Sequence, residues 1–155
     1  MGTGASWKWY SGSCGGTLVG TGTSINVTPS VTTTYYVRAE GDCNNTSCIS
    51  STLTVKANST TPSSITIGTD NICPGSSSTL TVNGGSLGTG ASLKWYSGSC
   101  GETLISSGTN IDVSPSVTTT YYVRAEGDCG VTSCVGGTVT VKSLPLIVTQ
   151  PVNTT

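Results

Sequence analysis

Apolar and polar residues alternate in short runs along most of the chain, and no stretch carries a 3.6-residue apolar period. In Ser92–Tyr96, Leu93 and Trp95 fall on one face and Lys94 and Tyr96 on the other, as successive side chains of a strand do. In Thr119–Glu126, Tyr121, Val123 and Ala125 share one face, while Tyr122, Arg124 and Glu126 share the opposite one. The same pattern predicts strands over Ser64–Thr69, Thr79–Asn83, Thr103–Ser106, Asn110–Val113 and Thr138–Lys142. Between them lie CPGSSS, NGGSLGTG and SGSCGE, whose Pro and Gly residues break regular structure. The chain therefore reads as all-β.

The pattern also repeats. Residues 2–56 align without gaps to residues 88–142, at a fixed offset of 86, with 41 identities in 55 positions. PSVTTTYYVRAEGDC occurs unchanged in both copies. Identity this high implies recent duplication and an array of such units. The phase of the repeat predicts an incomplete unit over 1–56 that lacks its first strands. A linker follows at 57–61, then a complete unit over 62–142. Residues 143–155 read as the start of a third unit, which makes the chain a window on a longer one. About seven short strands per complete unit predict tandem immunoglobulin-like β-sandwiches. Trp95, with Trp9 in the first copy, takes the place of the buried Trp on the third strand of such sandwiches. Tyr121 and Tyr35 are expected in the core beside it. Trp7 stands where the second copy has Leu93, which suits a core-filling position.

Seven cysteines follow the repeat: Cys14, Cys43 and Cys48 correspond to Cys100, Cys129 and Cys134, and Cys73 is left over. A complete unit thus has four. No paired CxxC is present, so disulfides in an oxidising compartment are favoured over a zinc site. A small sandwich buries a limited core and gains from such cross-links. Four cysteines allow three connectivities. Placing them by strand ends gives Cys73–Cys100, Cys129–Cys134 and, in the first copy, Cys43–Cys48, with Cys14 unpaired.

Composition narrows the functions. Ser and Thr number 24 and 29, which suits strands and turns. Only 8% of residues are charged, the net charge is -1, and there is no His. Nucleic-acid binding, which needs a basic patch, is disfavoured. The commonest general base and metal ligand are missing, so no catalytic residue, cofactor or metal is expected. Glu40/Asp42 and Glu126/Asp128 are the close acidic pairs, and they read as loop charges beside Arg38 and Arg124 rather than as a Ca²⁺ site. No run of apolar residues is long enough for a transmembrane helix.

The motifs carry a resemblance. Cys73-Pro74-Gly75, the Trp-Tyr pairs 9–10 and 95–96, the TTYYV strands at 33–37 and 119–123, and Gly-x-Cys at 41–43 and 127–129 resemble immunoglobulin-like repeats of Bacteroidota surface and secreted proteins. That type is associated with cargo of the type IX secretion system and with gliding-motility adhesins. The added pair Cys100 and Cys134 departs from the simplest two-Cys form of the pattern. The resemblance implies extracellular stalk or spacer repeats of a bacterial cell-surface adhesin. Their partners would be neighbouring repeats of the same chain, with any glycan or protein ligand bound elsewhere in the parent. Accessory modules of a secreted polysaccharide-degrading enzyme, or a subunit of an extracellular filament completed by a donated strand, are the alternatives.

Overall fold

A computed structural model describes residues 2–146, which contain strands and no helix. The expected opening strand of a third unit lies mostly outside these residues. The chain divides into two compact units, Met1–Lys56 and Ala57–Thr155.

In the second unit, β5 (Ser64–Ile67), β6 (Ser78–Asn83) and β9 (Asn110–Val113) form a three-stranded antiparallel sheet in the order β5-β6-β9. The facing sheet contains β7 (Ser92–Ser97), β8 (Thr103–Ser107), β10 (Thr119–Gly127), β11 (Gly130–Val131) and β12 (Val135–Val139). Its centre is the β7–β10 pair, flanked by β8 on one side and by β11 and β12 on the other. Alternation decides which side chains meet between the sheets. Leu93, Trp95, Tyr121, Val123, Ala125 and Val139 project from one sheet, and Leu80, Ile111 and Val113 from the other. Trp95 is fully buried, and its indole Nε1 donates to the Gly108 carbonyl at 2.9 Å, so the burial leaves no unpaired donor. Ile72 plugs one end of the core and bridges to Val141.

The last strand begins earlier than the alternation indicates. Gly136 and Gly137 look like turn residues, yet they pair with Tyr122 and Tyr121 inside β12. The fit is tight there without excluding a side chain, and the first unit carries Ser50 and Ser51 at the same register. A Cβ on Gly136 would lie 3.2 Å from the Tyr122 ring, and one on Gly137 would lie 3.2 Å from Ile65. Ala57–Thr61, expected as a linker, is bonded along the loop between β6 and β7. Ala57 and Thr89 exchange hydrogen bonds of 2.9 and 3.0 Å, the Gly88 amide donates to Ser59 Oγ at 2.9 Å, and the Thr60 amide donates to Ser86 O at 3.0 Å. A Cβ on Gly88 would come within 2.2 Å of Ala57 O, so this approach depends on glycine.

The first unit holds β1 (Ser6–Ser11), β2 (Thr17–Thr21), β3 (Thr33–Glu40) and β4 (Ile49–Leu53) in one sheet, ordered β2-β1-β3-β4. The registers repeat those of the second unit: Trp9 pairs with Val37 as Trp95 pairs with Val123. No facing sheet is present among its described residues. Ile25 and Val27, the counterparts of Ile111 and Val113, lie in no strand, and no β6-type neighbour that would pair them is among the described residues of this unit. Of the four aromatics expected in the core, Trp95 and Tyr121 are buried, whereas Trp9 and Tyr35 are only half-buried. Their burial requires a second sheet, which alternation on a single strand does not supply.

Truncating the buried indole should therefore cost more than truncating its copy. Trp95→Ala is expected to lower stability by ~3–5 kcal/mol, and Trp9→Ala by clearly less. Amide hydrogen exchange of β7 and of β1 measures the two separately, and equal losses would contradict this account.

Candidate functional site

The most elaborate side-chain arrangement lies on the outer face of the β7–β10 sheet, away from the core. Lys94 and Tyr96 project outward from β7, and Tyr122, Arg124 and Glu126 from β10. The register sets Lys94 beside Arg124 and Tyr96 beside Tyr122. The Arg124 guanidinium lies 5.1 Å from the centroid of the Tyr96 ring, a cation–π contact. Its Nε and Nη2 both reach Glu126 Oε1 at 2.7 Å, and the Tyr96 hydroxyl donates to the same oxygen.

The first unit repeats the cluster. Arg38 lies 5.2 Å from the Tyr10 ring centroid and donates to Glu40 from Nε at 2.8 Å and Nη2 at 2.7 Å. Tyr10 donates to Glu40, and Lys8 Nζ adds an ion pair at 2.8 Å. Glu40 and Glu126 are thus built into a packed surface layer, which corrects their reading as loop charges. The companions Asp42 and Asp128 lie against Gly4 and Gly90 in the neighbouring loops. Among the described residues no group of three or more His, Cys, Asp or Glu side chains is placed to hold a metal.

A turn lies over each cluster. After β7 the segment Gly98–Glu102 curls back across the sheet, so that Cys100 Sγ lies 3.8 Å from Arg124 Nη1. Gly101 has φ +85°, and a Cβ there would be 2.9 Å from the guanidinium. Only glycine allows both the backbone conformation and the close approach. Arg124 is therefore held between the Tyr96 ring and this turn.

The turn is fastened by a disulfide, and the expected cysteine pairing is corrected. The bonds are Cys14–Cys48 and Cys100–Cys134, with Cα separations of 5.9 and 6.0 Å. Cys43, Cys73 and Cys129 are exposed and join neither bond. Register explains why Cys129–Cys134 and Cys43–Cys48 do not form. Val135 pairs with Val123, so Cys134 lies level with Arg124 and projects outward with it. Cys129 lies beyond Gly127, at least three positions further along. At ~3.3 Å per residue this exceeds the ~7 Å that a disulfide can span between Cα atoms. Cys73 follows β5 in the other sheet, so the core separates it from the outer face where Cys100 lies. Cys14, expected without a partner, is bonded to Cys48.

Electrostatics follow the contacts. The Lys8 ammonium, then the Tyr10 hydroxyl and the Arg38 guanidinium, hold the Glu40 carboxyl down to about 2. Tyr96 and Arg124 hold Glu126 below the usual carboxylate range. Burial, with Glu126 alongside, pushes the Tyr96 hydroxyl up. The two carboxylate shifts favour the ion pairs as they stand. The arrangement fixes a carboxylate and exposes no activated nucleophile in the cluster.

The model for the CHU_C-associated Ig-like domain matches residues 1–58 and 60–143. The chain belongs to that Ig-like family. A comparison with curated proteins finds no match. Membership agrees with the facing antiparallel sheets of the second unit, and together with the two disulfides it fits an extracellular Ig-like module. No helix of the described residues is long and apolar enough to cross a membrane.

Two outcomes test the outer face. Non-reducing peptide mapping should yield Cys14–Cys48 and Cys100–Cys134 links. The double change C100S/C134S should cost ~3–4 kcal/mol, the loop-closure value for a cross-link at this separation, read from the denaturant midpoint. A Cys129–Cys134 link would refute the register argument. Acid should also weaken the first unit. Glu40 binds its proton more weakly in the folded chain than in the unfolded one, so the unfolded chain takes up the proton first as pH falls. The contribution is complete above about 4.5 and is lost as pH falls toward about 2. Amide exchange in β1 and β3 should show this loss, and Glu40→Gln should flatten it.

Proposed function

We propose that the chain is a pair of structural spacer modules from the stalk of an extracellular bacterial surface adhesin, with recognition performed elsewhere in the parent protein. The observation that carries this reading is where the charged and reactive groups are spent. Four of the seven cysteines close disulfides, and Arg38, Glu40, Arg124 and Glu126 are consumed in a cluster repeated in both units. The same cluster on 41 of 55 shared positions is what interchangeable units of an array need, because each unit must hold its own fold. A disulfide stapled over a sheet face suits a module exposed to proteases and tension outside the cell.

The oxidised chain should bind no member of a glycan array and hydrolyse no polysaccharide. It should also survive protease digestion that destroys the reduced chain. Antibody raised against it should label intact cells that make the parent protein. Saturable glycan binding, or hydrolysis, would move the function into these modules and overturn the spacer reading.

A further inference from the structure

In the second unit the chain enters and leaves at opposite ends of the sandwich. Residues 57–61 are bonded along the β6–β7 loop, at the end where Ser92 of β7 pairs with Glu126 of β10. The last strand runs away from that end, with Val135 opposite Val123 and Val139 opposite Thr119. At the far end the two terminal segments meet. Asn71 takes φ 60°, a left-handed conformation that Asn tolerates, and Ile72 beyond it bridges in parallel to Val141. The Ile72 amide donates to Thr140 O at 3.0 Å, and the Lys142 amide donates to Ile72 O at 2.9 Å. The Thr140 amide donates to Asp70 Oδ1 at 2.9 Å. Ile72 itself is buried against the core.

We propose that this bridge is a mechanical latch, and that the Cys100–Cys134 bond is the stop behind it. The reason is the direction of load. Tension on the flanking chain pulls residues 57–64 toward one end of the sandwich and residues 140–146 toward the other. Antiparallel segments whose free ends lie together unzip one bond at a time. Parallel segments pulled from opposite ends slide instead, so the three bonds between 70–72 and 140–142 carry the load together and break together. Once they yield, β12 strips from β10 only back to Cys134, and the N-terminal side unravels only as far as Cys100. The 34-residue separation between those cysteines stays closed. The closed ring holds β10, the strand that pairs with both β7 and β12, so the template for re-forming the sheet survives the stretch.

The latch extends the spacer reading without resting on it, because only strand directions and bonds of the second unit enter. Asp70 gives it a control. Its carboxylate joins the terminal segments, whereas Asp112 accepts from Thr79 between β6 and β9, off the path of the load.

The test stretches the full 155-residue chain in optical tweezers at constant force, through handles joined enzymatically to its termini. The step that lengthens in C100S/C134S belongs to the second unit. The gain should be ~12 nm, the span of the released loop at ~3.5 Å per residue. Asp70→Ala should speed that step ~10-fold, since the lost bond is made to a carboxylate and forced unfolding follows the unfolding barrier. Asp70→Asn keeps an acceptor without the charge and should fall between; it carries the test should the alanine variant fold poorly. Asp112→Ala should lower the denaturant midpoint by a similar amount yet change the rate under force less than ~2-fold, because its bond is intact when the latch breaks. Equal acceleration by the Asp70 and Asp112 changes overturns the latch, as does no acceleration at Asp70. A step of the same length with and without the disulfide overturns the stop.

Discussion

A sheet has two faces, and in this protein each needs its own cover. The inner face of the β7–β10 sheet is apolar and is closed by β5, β6 and β9 packing on Trp95, Val123 and Ala125. Removal of this surface from water is the main source of stability in a module of this size. The other features follow from it. Gly137 lies close under Ile65, Ile111 forms a strand because Leu80 is beside it, and Ile72 closes the end.

The outer face is covered by different means. Its residues are too polar to bury under a third layer, so a single turn folds over them. Arg124 lies on the Tyr96 ring and is tied to Glu126, Gly101 admits the turn, and Cys100–Cys134 holds it down. An exposed ion pair alone contributes little. Here the same oxygen of Glu126 accepts from both Tyr96 and Arg124, and the disulfide limits how far the layer can open. The first unit carries the same outer layer.

In each module the arginine–glutamate cluster and the disulfide hold the outer face together, and the proposed spacer role rests on that arrangement.

Much of this was legible in the residues. Alternation separated Trp95, Tyr121, Val123 and Ala125 from Tyr96, Arg124 and Glu126, since period-two patterning is a local property of a strand. The 86-residue offset aligned the two copies because duplication preserves sequence directly. The motifs at Trp95-Tyr96 and TTYYV led to the family that the chain belongs to. Other features depended on contacts distant in sequence. The start of β12 at Val135 rests on its pairing with Val123 of β10. The half-exposure of Trp9 and Tyr35 rests on a sheet absent from the described residues of their unit. The cysteine pairing rests on a turn that doubles back over a face and on a hairpin register that sets Cys134 level with Arg124. Residue type and spacing determine which face a side chain takes. Only the packed structure decides what lies across from it, because that partner comes from another strand, 34 residues away for each disulfide.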